Sequence, residues 1–182
     1  MVLLYLCTNQ FLLLPVMTDI AAAILSLLVI LAATADVLSR SIPNQLTLLI
    51  TASFFLFAWA CGMPLADLVM HVGFGIGLLV IAVVLFSFGL FGGGDGKLIA
   101  AAGLWIGPAG LVDFLLGTAV TGGFLALAFL AYSVPSLLFS QPEAGSAGRR
   151  ALLAGTLPYG YAIAAGTLLA LPESWWASPI PQ

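Results

Sequence analysis

Two stretches of this chain carry side chains suited to hydrolysis, and each centres on an aspartate. Phe91-Gly92-Gly93-Gly94-Asp95-Gly96-Lys97 places a carboxylate and an ammonium group among glycines, between long apolar segments. Asp36 stands at the end of another apolar segment, just before Arg40, Pro43 and Asn44. A charged side chain at the centre of a bilayer costs about 2.5–3.5 kcal/mol on insertion scales, so Asp95 must sit near an interface or line a polar site. The glycines around it remove bulk and permit backbone geometries closed to other residues, so a second polypeptide backbone can approach. Two carboxylates in one poorly solvated site cannot easily both ionise; one pKa rises and the pair shares a proton. The ionised member can take a proton from water while the protonated one polarises a carbonyl. That is amide hydrolysis without a covalent intermediate.

Such a pair needs a scaffold, and the composition says which kind. Of 182 residues, 63% are hydrophobic and 6% are charged, with a mean hydropathy of +1.23. A soluble domain carries roughly 25% charged residues. The expected fold is therefore an all-α integral membrane domain. The net charge of −3 gives no footprint for nucleic acid. Cys7 and Cys61 lie far apart with no CxxC between them, so neither a zinc site nor a disulfide framework is indicated. Cys61 reads as an apolar helix residue, and no cofactor is expected.

Six helices can be laid along the chain. Residues 1–18 read as an extension or a mis-assigned start: they are short for a span, interrupted by Thr8-Asn9-Gln10, and followed by Met17-Thr18-Asp19. The membrane domain is expected over 19–173. Its first helix runs from Asp19 to Leu38, and Pro43 disfavours helix at Ile42, with Asn44 as a candidate cap for the second helix. That second span covers 45–66, closed by Gly62 and Pro64. A third runs from Asp67 to about Leu90, where Gly73 and Gly77 form a GxxxG read as a helix-packing notch. The Gly-rich stretch reads as a loop, followed by a short helix from Lys97 to Gly107. A fifth span covers about 110–132. A polar loop with Glu143, Arg149 and Arg150 leads to a sixth over 151–171. Residues 174–182 read as a short tail, with Trp175 and Trp176 as an interfacial aromatic pair.

With six helices, Arg40, Lys97, Arg149 and Arg150 all fall on one face, which the positive-inside rule makes cytoplasmic. Asp19, Asp67, Asp113 and Glu173 fall on the other, and His71 falls near it. The same parity sets Asp36 level with Asp95. Each part also has a plainer reading. A lone interfacial Asp commonly caps a helix or meets an Arg, Gly-rich stretches are often turns, and Arg40 and Lys97 can anchor helices at the interface. GGGDGK also fails the phosphate-loop pattern, having Phe91 and Leu98 where Gly and Ser/Thr belong.

These residues resemble the two signatures of type IV prepilin peptidases, the GxGD group of aspartic proteases. Gly92-Gly93-Gly94-Asp95-Gly96-Lys97 fits their GxGDxK motif. Asp36-Val-Leu-Ser-Arg40-Ser-Ile42-Pro43-Asn44 is similar to their other Asp element, and Pro158-Tyr159-Gly160 to the Pro-aromatic-Gly stretch that opens their last helix. The resemblance covers about residues 19–172. It implies a six-helix GxGD-type intramembrane protease fold that cuts the basic leader from prepilins or pseudopilins at the cytoplasmic face of a bacterial inner membrane. Cleavage falls just before the pilin's apolar helix. Asp36 and Asp95 are then the catalytic pair. Gly92, Gly94, Gly96, Lys97, Arg40, Pro43 and Asn44 shape the motifs, and Pro158 and Gly160 support the site.

Long members of the family carry a cytoplasmic insert with paired CxxC motifs and N-methylate the trimmed pilin. This chain has neither the cysteines nor the room, and is similar to short forms serving tight-adherence (Flp-type) pili. Two other classes stay open on the residues alone. A proton-coupled small transporter predicts acids near the midplane, and a non-catalytic pilus or secretion assembly protein predicts helix-packing faces and no turnover.

Overall fold

The computed structural model describes residues 2–90, 92–139 and 159–177. Phe91, Pro158 and the expected loop charges Glu143, Arg149 and Arg150 lie outside them. The described residues form α1 (Val2–Ser39), α2 (Asn44–Ala60), α3 (Leu65–Ser87), α4 (Gly93–Ile106), α5 (Leu111–Phe139) and α6 (Gly160–Ala170), with a 3-10 turn at Leu171–Glu173. Long and short helices alternate. Leu14–Ser39, Leu65–Ser87 and Leu111–Ala131 are long and apolar enough to cross a membrane. α2 has 17 residues and α4 has 14, about 25 and 21 Å at 1.5 Å per residue.

At its start α1 runs unbroken from Val2 through Pro15 into the first expected span. Its other end is sharp. Arg40 adopts a left-handed φ of 53° and its N–H closes on the Asp36 carbonyl at 2.8 Å. Pro43 then sets the entry to α2 with φ −60° and ψ 134°. Asn44 makes no cap, contrary to expectation: it is already the first helical residue, which frees its side chain for the site.

α2 and α3 each end in a Schellman motif, where a glycine takes the positive φ that other residues resist. After α2, Gly62 (φ +68°) donates to Trp59 O and Met63 to Ala58 O at 2.9 Å. After α3, Gly89 (φ +70°) donates to Phe86 O and Leu90 to Leu85 O. The second turn delivers the chain directly to α4.

α4 is the hub. Leu98 and residues 100–106 are buried, and α2, α3, α5 and α6 all pack on it, while α1 lies on α2 and α6. The expected GxxxG notch is not where helices meet: a side chain at Gly73 or Gly77 would touch nothing within 4 Å. The close approach occurs at Gly75 instead, where a Cβ would lie 3.0 Å from Leu104 Cβ.

A helix this short ends inside the bundle, where its last carbonyls need partners. Three of the four have them. Gly107 N–H donates to Gly103 O at 2.8 Å. His71 Nδ1 bonds Leu104 O at 2.8 Å, and Trp176 Nε1 donates to Trp105 O at 2.8 Å. The Trp105 indole in turn donates to Ile50 O on α2 at 2.8 Å. Phe54 packs against His71, Trp105 and Trp176 to fill the space between. Residues 174–177 are thus no tail, and Trp176, only 3% exposed, is no interfacial anchor. It is part of the far-end clamp on α4.

Candidate active site

The end of α4 opposite this clamp forms the site. The last turn of α1, the α1–α2 turn, the start of α2, the end of α3, the start of α4 and the start of α6 surround one cavity of about 570 Å³. Its lining includes Asp36, Arg40, Asn44, Gly92, Gly94, Asp95 and Lys97. The sequence expected Asp36 and Asp95 at one level, and the structure sets both at this cavity. Asp36 lines it from the end of α1 and Asp95 from the start of α4.

Asp36 is buried, 7% exposed. Its Oδ2 accepts the backbone N–H of Gly160 at 2.9 Å. That N–H is one of the donors left over at the start of α6, so the carboxylate sits against the positive end of a helix dipole. Glycine suits the position: a Cβ on residue 160 would lie 3.0 Å from both Asp36 Cβ and Oδ2, and 3.3 Å from Ala33 Cα, so α1 would have to give way.

The Gly-rich stretch is not the loop expected from its composition. Gly93 already begins α4, and Asp95 is the third residue of its first turn, also beside unpaired helix N–H groups. Glycine disfavours helix by about 1 kcal/mol per residue, and here neighbouring groups pack closely on the stretch. A Cβ on Gly93 would meet the Phe86 ring at 3.3 Å, and one on Gly94 would meet Ile42 at 3.4 Å. A Cβ on Gly92 would come within 2.6 Å of Asp95 Oδ2. Gly96 is buried and its N–H closes the first turn on Gly92 O at 3.0 Å.

Lys97, whose part the sequence left unassigned, donates from Nζ to Asn44 Oδ1 at 2.9 Å. This bond ties the start of α4 to the start of α2 across the rim of the cavity. Arg40 lines the same cavity from the α1–α2 turn. Tyr159 was missed as a cavity residue, although its neighbours in Pro158-Tyr159-Gly160 were singled out; it stands at the wall beside Asp36.

The arrangement offers two carboxylates of different exposure lining one open cavity, with no histidine or cysteine among its lining residues. It suits water activation between two acids. It gives little to a proton relay along the helices. Among the described residues, the buried threonines Thr18, Thr47 and Thr167 turn their hydroxyls back onto Pro15 O, Asn44 O and Ile163 O of their own helices.

A family model described as the type IV leader peptidase family matches residues 23–127. The match covers more than half of the chain and includes both aspartates. No curated protein and no solved structure matches it.

Proposed function

The chain belongs to the type IV leader peptidase family, and we propose that it cuts prepilins or pseudopilins with Asp36 and Asp95 acting as one catalytic pair. The observation that carries this reading is the shared cavity, into which two helix termini deliver the two acids.

In the proposed reaction the substrate's backbone lies extended across the cavity. One carboxylate accepts a proton from water as its oxygen attacks the scissile carbonyl carbon. The other carboxyl gives its proton to the carbonyl oxygen. Collapse of the resulting diol returns a proton to the pair, breaks the C–N bond, and sends the second proton to the departing amine. The substrate's leader rests on the cytoplasmic surface and its apolar helix lies in the bilayer. Support for that side comes from Arg40 and Lys97, which stand at the same cavity as the pair. Only residues 40–43 separate α1 from α2, which leaves no room for the insert of the long forms. A Flp-type substrate and leader cleavage without N-methylation fit this short form.

The test is cleavage of a co-expressed prepilin, read as a mass shift. Asp36→Asn and Asp95→Asn, at membrane levels equal to wild type, are each expected to abolish the shift. Cleavage at the wild-type rate by both variants would rule out the pair and return the transporter and assembly readings to contention.

A further inference from the structure

A second hollow of about 540 Å³ opens beside the aspartate cavity, on the flank of the bundle between α2 and α3. α4 forms its floor through Ala100, a side chain small enough to leave the space empty. Leu48, Thr51 and Phe55 form the α2 wall; Ile76 and Leu79 form the α3 wall. Two threonines of α2, Thr47 and Thr51, also line it, and both hydroxyls are turned back onto their own helix, at Asn44 O and Thr47 O. The surface offered is apolar.

The hollow is not separate from the site. Asn44 and Lys97 line both spaces, and the 2.9 Å bond between them lies at the boundary. We propose that this groove receives the apolar helix of the substrate, the segment that follows the scissile bond. The assignment rests on the peptidase reading and adds to it a binding surface. A chain extended past Asp36 and Asp95 that continues into the bilayer meets the Asn44–Lys97 threshold and then this groove. From residue 44 to residue 55 the α2 wall runs about 16 Å at 1.5 Å per residue, or three turns of a facing helix. That length suits recognition by anchors at i, i+3, i+4 and i+7 laid into a groove. Alanine on the floor lets a second helix approach closely, as small residues do in membrane interfaces.

The test uses the full chain in proteoliposomes with a prepilin that retains its apolar helix. Thr51→Trp fills the groove from α2 and Leu79→Trp fills it from α3. Each is expected to raise KM tenfold or more while kcat stays within about twofold. Ile81→Trp, on an exposed part of α3 outside the groove, is expected to keep the wild-type KM. A benzophenone side chain in place of Phe55 is expected to cross-link to the substrate's apolar segment, which decides the matter should a tryptophan variant fail to fold. Wild-type KM in both groove variants, or cross-linking to lipid alone with substrate present, overturns the groove and leaves the peptidase standing. A wild-type protein that leaves every prepilin uncut overturns the peptidase reading, and the groove falls with it.

Discussion

Gly160 donates its backbone N–H to Asp36 Oδ2 at 2.9 Å, joining the first turn of α6 to the last turn of α1. The contact is possible because residue 160 has no side chain, since a Cβ there would press on Asp36 and on the α1 backbone at Ala33. Gly160→Ala is therefore expected to displace the carboxylate and reduce cleavage by about 10- to 100-fold, with overpacking costing roughly 1–3 kcal/mol of stability. Alanine is the better helix former, so a variant that gained thermal stability and kept full activity would refute the contact's importance. Prepilin cleavage and a thermal melt on the same preparation decide it.

Gly92→Ala poses a different conflict. The added Cβ meets the far end of the Asp95 side chain rather than backbone, and the carboxylate can swing away at little cost to the fold. Activity should fall at least tenfold with the melting temperature almost unchanged. A large loss of stability would show that residue 92 matters to the fold rather than to the acid.

Asp36 and Asp95 line one cavity, and the proposed reaction needs one proton between them. At low pH both are protonated and no base remains; at high pH both are ionised and no acid remains. The pH profile of kcat/KM is expected to be bell-shaped, with two macroscopic pKa values that belong to the pair. A profile flat over the range in which the protein stays folded would exclude proton sharing.

Much of this site could be read from the chain because charge is scarce in it. In so apolar a sequence each acid must have a place that tolerates it, and helix parity alone set Asp36 level with Asp95. Helix ends at Gly62 and Gly107 were legible for the same local reasons that make glycine a stop. The illegible parts depend on contacts between distant residues. Gly93 and Gly94 look like loop until Phe86 and Ile42 pack against them. Gly73 and Gly77 match a packing pattern, but Gly75 faces Leu104. Trp176 looks like an interfacial anchor in the sequence, and its burial follows from contacts far away in the chain, the bond to Trp105 O and the packing on Phe54 and Trp105.

That clamp makes a prediction about stability. Trp176→Phe keeps an aromatic side chain, though a smaller one, and leaves Trp105 O without its donor; His71→Phe does the same to Leu104 O. Each is expected to cost about 1–3 kcal/mol, the penalty for an unsatisfied buried polar group. Trp175→Phe, whose indole shows no such bond to α4, should cost less. Thermal unfolding in detergent ranks the three, and equal midpoints for Trp175→Phe and Trp176→Phe would remove the capping role.

The alternation of long and short helices has a bearing on the surrounding lipid. α3 has 23 residues and α2 has 17, and they form opposite walls of the lateral groove. A hydrocarbon core is roughly 30 Å thick, several ångström more than α2 can match, and such hydrophobic mismatch is relieved by local thinning of the bilayer. The membrane is expected to dip along the α2 wall, beside the groove. Acyl-chain length then becomes a control on how readily a helix passes from lipid into the protein.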